Sequence, residues 1–163
     1  MAEDFRVSLL SEEDQEIFGR IDEETVSPLV WQHAEHPRNL GTLRDPDGRA
    51  EVTGLCEDTM VFEMRLDGNA VIDIGFQAQG CGFTVACGSI ATELVKGKRI
   101  GEALGITGKQ IEQALGGLPK GHRHCADLAA NALKAAARNA LAPHLRVGPD
   151  LVGRVWKVWK PNE

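Results

Sequence analysis

The chain has no Arg- or Lys-rich tract, and its 24 acidic side chains outnumber its 18 Lys and Arg, for a formal net charge of −6. Neutralising phosphates takes clustered cations, so this balance argues against a general nucleic-acid binder. No apolar run approaches the roughly 20 residues that span a bilayer, which argues against an integral membrane protein. The N-terminal Met1-Ala2-Glu3-Asp4 has neither the basic region nor the apolar stretch of a secretory signal. A soluble cytoplasmic chain is therefore expected. Internal repeats, low-complexity segments and closely spaced C-x₂-C pairs are also missing. Four cysteines in such a chain read as reduced thiols, ligands or nucleophiles rather than a disulfide framework.

What is there supports one domain. The 163 residues are 42% hydrophobic, an ordinary globular share. Residues 27–143 are expected to form that domain, with 1–26 and 144–163 as extensions. Ser11-Glu12-Glu13-Asp14 has the pattern of a helix start. Ser27-Pro28 opens a helix that Pro37 ends. After the turn Asp45-Pro46-Asp47-Gly48 come three strand-like segments, about 50–55, 60–66 and 70–79. Asp67-Gly68-Asn69 makes a hairpin between the second and third. Alternation puts Phe62, Met64 and Leu66 opposite Val61, Glu63 and Arg65, and sets Ile72, Ile74, Phe76 and Ala78 on one face. A small antiparallel meander with one polar face needs helices on the other. Those are expected at about 83–96, 100–104, from Thr107 to Gly116-Gly117 with a capping box, and at about 125–141, Ala-rich and ended by Pro143. The fold class is α+β, a three-stranded antiparallel sheet with helices on one face. Trp156 and Trp159 sit in an alternating tail that either adds a strand or touches a partner.

Chemistry concentrates in three stretches. In Cys56-Glu57-Asp58 the thiol and the carboxylate are two residues apart and share one side of an extended chain. Gly80-Cys81-Gly82 presents a thiol between glycines, at the end of the third strand. In a meander, that end lies at the same edge as the end of the first strand. His124-Cys125 begins the long helix, where free N–H groups favour a thiolate. Should that helix start at the same edge, three thiolates, an imidazole and a carboxylate meet. Such donors suit zinc or an iron–sulfur cluster. A hard carboxylate beside soft thiolates holds cluster iron less firmly, so Asp58 favours release. Cys87, mid-helix among apolar neighbours, reads as a buried hydrophobe. His122 reads as an exposed loop residue, His33, His36 and His144 as surface or core, and Arg38 and Asn39 as fixing the connection that carries them.

These residues carry a resemblance. His36-Pro37-Arg38-Asn39-Leu40-Gly41, Cys56-Glu57-Asp58, Gly80-Cys81-Gly82, Thr92-Glu93-Leu94-Val95-Lys96-Gly97-Lys98 and His124-Cys125 resemble, in order, the motifs of the IscU/NifU iron–sulfur cluster scaffolds. The resemblance covers about residues 27–141. It implies cluster ligands at Cys56, Cys81 and Cys125, with His124 or Asp58 as a fourth. It also implies assembly of a labile [2Fe–2S] cluster from iron and cysteine-desulfurase sulfur, and transfer to apo iron–sulfur acceptor proteins. Cys125 would accept persulfide sulfur, and the chain would act as a scaffold or carrier, a monomer or weak dimer. Zinc fits the same donors and is expected in the purified form. There are departures. Glu57 replaces a glycine, and is strained if that position needs positive φ. Leu118-Pro119-Lys120-Gly121-His122-Arg123 has lost most of the family's Leu-Pro-Pro-Val-Lys segment, so a dedicated Hsp70-type chaperone is not implied. Two rivals stand beside the scaffold: a zinc-binding persulfide acceptor like SufU, and a regulatory zinc-bound paralogue that uses its Trp156/Trp159 tail. The SufU branch carries an insertion between its second and third cysteines that is not obvious here.

Overall fold

The structure, a computed structural model, describes residues 26–55 and 57–142. The expectations for the Ser11 helix start, Cys56, Pro143, His144 and the Trp156/Trp159 tail lie outside the described residues.

Helix α1 spans Pro28–Glu35. Ser27 caps it, its hydroxyl accepting from the Leu29 N–H at 3.2 Å, and Pro28 sits where a helix leaves an N–H unpaired anyway. Strands β1 (Gly48–Thr53), β2 (Thr59–Asp67) and β3 (Ala70–Gln79) form one antiparallel sheet in the order β1-β2-β3. Helices α2 (Gly82–Val95), α3 (Ile100–Gly105) and α4 (Gly108–Ala114) follow, then a 3₁₀ turn at Lys120–His122 and the long α5 (Arg123–Leu141). Thr107 and Gln110 make the expected capping box of α4. The α+β expectation therefore holds, with strand and helix ends within about two residues.

One face of the sheet is the core. Helix α5 lies across β1 and β2, and α2 lies against β3 and α5. Met60, Phe62 and Met64 from β2 and Ile74 and Phe76 from β3 are buried between them with Phe83, Leu133 and the alanines of α5. The approach of α5 to β1 is close. A Cβ on Gly48 would stand 2.5 Å from the Ala140 Cβ, a separation that real side chains do not reach, so the sheet and this helix fit only because Gly48 and Ala140 are small.

Two features depart from simple alternation. Arg65 pairs with Asp73 but Leu66 pairs with Val71, so Ile72 is an extra residue in β3. Such a bulge shifts the side-chain period by one. Val71 is fully buried as a result and Ile72 is 47% exposed, against the expectation that Ile72 shares the core face with Ile74. The second feature concerns the face expected to be polar. Val61 and Glu63 on it are buried, because the chain between α1 and β1 reaches it. The Glu63 carboxylate accepts the Leu43 N–H at 2.6 Å and lies 3.4 Å from Arg49 Nε.

That same connection bridges to the free edge of β3 at Phe76. Gly41 donates its N–H to the Phe76 carbonyl at 2.8 Å, and Phe76 donates to the Asn39 carbonyl at 3.0 Å. The bridge at Phe76 interrupts the ladder that this edge would otherwise offer another chain. The connection is anchored to α2: the Arg38 N–H donates to Ser89 Oγ at 2.9 Å, the Asn39 amide to Thr92 Oγ1 at 2.9 Å, and the Arg38 guanidinium to Glu93 at 2.8 Å. His33 is a core residue, 2% exposed, whose Nδ1 lies 2.7 Å from the Ser89 hydroxyl. Burial, with the Arg38 guanidinium next, holds its pKa below the ordinary histidine value.

The connection between β1 and β2 contains a strained residue. Glu57 has φ +63°, the left-handed region that costs an ordinary side chain about 1–2 kcal/mol and glycine almost nothing. Replacing Glu57 by Gly relieves that strain and adds back some unfolded-chain entropy. The net expected gain is about 1 kcal/mol, read as a higher urea midpoint at unchanged slope. A lower midpoint would mean that the Glu57 side chain contributes more than its backbone costs.

Candidate metal centre

The strand register decides where the site lies. Thr53 pairs with Thr59, and Thr59 pairs with Gln79. The β1–β2 connection and the β3–α2 junction therefore emerge at one sheet edge, as the meander argument expects. The two meet at Gly80. A Cβ there would lie 2.6 Å from Asp58 Cγ and 2.9 Å from Thr84 Oγ1. Gly80 thus makes room for the Asp58 carboxylate against the backbone.

Thr84 is the hub. It is fully buried in the first turn of α2. Its hydroxyl donates to Asp58 Oδ2 at 2.6 Å, and the same oxygen stands 3.5 Å from Cys81 Sγ and 3.5 Å from Cys125 Sγ. A hydroxyl has one proton and two lone pairs. Asp58 and the two sulfurs thus compete for the one Thr84 proton, and the 2.6 Å distance to Asp58 favours the carboxylate over the sulfurs at 3.5 Å. Sequence reading passed over Thr84, since a threonine among apolar helix residues looks like packing. The available signal was its spacing, three residues after a cysteine at a helix start, which puts it on the same turn.

Two helix N-termini converge here. Cys81 is the N-cap residue of α2, and Cys125 is in the first turn of α5. The Cys81 pKa falls to about 5: the facing Cys125 thiol is the largest cause, helped by the Thr84 hydroxyl and by the Thr84 and Phe83 backbone N–H groups, against burial. Cys125 is fully buried, and its pKa is raised, first by the same contact with Cys81 and then by burial. The contact between the two sulfurs thus acts in opposite directions, favouring the thiolate at the half-exposed Cys81 and the thiol at Cys125. Cys87 is the buried hydrophobe expected of it: it is fully buried and its pKa is pushed up by desolvation.

The histidines complete the centre. His124 Nε2 is 3.7 Å from Cys125 Sγ. One donor atom each from Asp58, His124 and Cys125 lie within 4.8 Å of one another, and so do donors from Cys81, His122 and Cys125. His122 is half-buried rather than the exposed loop residue expected. Its ring stacks on Phe83, with centroids 4.1 Å apart and planes at 23°. Thiolate, imidazole and carboxylate donors at this spacing suit zinc or iron. Four of the five expected ligands, Asp58, Cys81, His124 and Cys125, are thus brought to one place, and the fifth, Cys56, lies outside the described residues.

Two measurements check this geometry. Thr84→Val keeps the shape and removes the proton that Asp58 receives. The half-buried carboxylate loses its partner, so stability should fall by about 1 kcal/mol and zinc affinity by about 10–100-fold. Unchanged zinc affinity would show that Thr84 positions nothing. The second measurement is the alkylation rate of metal-free protein against pH. The rate follows the thiolate fraction, so a Cys81 pKa of about 5 predicts a rate level from neutral pH down to about 6, falling only below about 5. An ordinary thiol would already lose about tenfold per unit below its pKa of about 8.5.

The sequence family described as the NifU-like N-terminal domain matches residues 25–143. The iron-sulfur cluster assembly scaffold protein IscU 1 of Archaeoglobus fulgidus is 45% identical over 111 residues, covering 68% of this chain and 72% of the relative. IscU of Aquifex aeolicus is 37% identical over 121 residues, 72% of this chain and 77% of the relative. IscU of Azotobacter vinelandii is 39% identical over 118 residues, 69% of this chain and 91% of the relative. Among solved structures, a protein from Fervidobacterium islandicum described as a candidate iron-sulfur cluster assembly scaffold for the SUF system superposes with TM-score 0.56. It is 17% identical and covers 68% of this chain and 95% of that one, and so speaks to the fold. With its matched domain carrying the converging cysteine, histidine and aspartate donors, the chain belongs to the NifU-like N-terminal domain family of iron–sulfur cluster scaffolds.

Proposed function

We propose that this chain is an iron–sulfur cluster assembly scaffold: a carrier that builds a labile [2Fe–2S] cluster from iron and desulfurase-derived sulfur and passes it to apo-proteins. The observation that carries the reading is the meeting of Asp58, Cys81, His124 and Cys125 at one sheet edge, with Cys125 common to the donor sets there. Iron enters as cargo and is held by these residues together with Cys56. Sulfur arrives as the outer atom of a desulfurase persulfide. A scaffold thiolate attacks that atom, the S–S bond breaks, and the desulfurase cysteine leaves as thiolate. Cys125 is the proposed acceptor. Contact with Cys81 raises the Cys125 pKa, so engaging Cys81 on iron would favour Cys125 as the nucleophile. Transfer onward relies on Asp58. An oxygen ligand binds soft cluster iron less firmly than a fourth sulfur would.

Anaerobic reconstitution with iron, cysteine and a cysteine desulfurase, followed by visible absorption, tests this reading. Wild type should develop cluster absorbance, and Asp58→Ala should lose it several-fold more slowly in the presence of an apo-acceptor. Absence of a cluster in both, with one tightly held zinc per chain, would overturn the scaffold reading and leave the zinc-dependent persulfide acceptor. Zinc in the purified protein alone decides nothing, since it fits the same donors.

A further inference from the structure

The donors at the sheet edge form two sets. Asp58, His124 and Cys125 make one, and Cys81, His122 and Cys125 make the other, each with its atoms within 4.8 Å. Cys125 belongs to both. His122 was not among the expected ligands, yet three observations set it apart from an incidental neighbour. Its Nδ1 is buried and has no hydrogen-bond partner, and a buried imidazole nitrogen left unpaired is costly unless something else fills its lone pair. Its ring is held by the stack on Phe83, in the first turn of α2 and two residues after Cys81. It also sits at the N-cap of α5 with no capping hydrogen bond from its side chain, so the ring does not serve the helix end. His124 lies further along, with ring centroids 6.3 Å apart, so the two imidazoles flank the Cys125 sulfur region without blocking each other.

We propose that His122 is a metal ligand of this chain, completing with Cys81 and Cys125 a second donor set that shares Cys125 with the Asp58–His124 set. The inference rests on the reading of this edge as a metal centre. A metal ion arriving from solvent first meets half-exposed groups, Cys81 and His122, before the fully buried Cys125. Phe83 then acts as a positioning residue: the stack fixes the ring plane, so the nitrogen is offered in one orientation instead of many. Neutral imidazole and thiolate both suit zinc and ferrous iron, so the chemical class of ligand is a divalent first-row cation. Sharing Cys125 lets an ion shift between the two sets by exchanging one histidine for the other and Cys81 for Asp58, without leaving the protein.

The test uses zinc, so that it is independent of cluster building. In wild type with ¹⁵N-labelled histidine, adding one equivalent of zinc should move a His122 ring nitrogen to the shift of a metal-bound imidazole. His122→Phe keeps an aromatic ring on Phe83 and removes the donor. Zinc affinity by chelator competition should fall at least tenfold, and the X-ray absorption spectrum should lose one nitrogen neighbour. Phe83→Leu, which keeps the donor and loses the stack, should weaken zinc by a smaller factor with the nitrogen count unchanged. A His122 resonance untouched by zinc, or His122→Phe protein with wild-type affinity and ligand count, overturns the proposal. The two readings fail separately. Wild type that builds a cluster while His122 stays unshifted by zinc sinks this inference alone, and wild type that binds zinc through His122 but never builds a cluster sinks only the scaffold.

Discussion

The short hydrogen bond from Thr84 to Asp58 is the joint on which the centre depends. It ties the β1–β2 connection to the first turn of α2, 2.6 Å from oxygen to oxygen, and it exists only because Gly80 leaves the carboxylate room. Without it the strand connection and the helix would still be near each other, but Asp58 would be free to swing into solvent. Thr84 also faces both sulfurs. One hydroxyl therefore sets the distance between a hard ligand and two soft ones, and a ligand set of mixed hardness is what separates a site that lends a metal from one that keeps it.

Around that joint the fold concentrates positive potential. Two helices present their N-termini to one spot, and each carries a cysteine in its opening residues. The two thiols respond unequally. At Cys81 the facing Cys125 thiol, the Thr84 hydroxyl and the Thr84 and Phe83 N–H groups favour the thiolate against burial, whereas at Cys125 the contact with Cys81 and burial both favour the thiol. An asymmetric pair gives the edge one reactive sulfur and one reserved sulfur in the absence of metal.

Much of this was legible in the sequence, and what was not has identifiable causes. The meander and its helices followed from turn residues and periodicity, and the shared edge of Asp58 and Cys81 followed from strand order alone. Glu57 was readable as a risk because a glycine commonly serves where φ is positive, and its φ is +63°. Ile72 was misplaced, since a bulge changes the period without any compositional mark. Glu63 was expected in solvent, because burial by a segment twenty residues upstream is a tertiary event. Thr84 and His122 were missed for a related reason. Each matters through partners on another element, Asp58 for one and Phe83 for the other, and side-chain partnering across elements leaves no local pattern.

The contact between Gly48 and Ala140 lies at the far end of α5 from the sulfur. Fifteen residues separate Ala140 from Cys125, about 22 Å of rigid helix at 1.5 Å per residue. Such a rod behaves as a lever with its fulcrum in the packed middle. Displacing one end by an ångström swings the other by a comparable amount, whereas metal–ligand bonds tolerate only about 0.2 Å. The calibration of the centre is therefore set partly at a place that touches no ligand, and a single methyl group added at the start of β1 would detune it while leaving every donor atom in the chain.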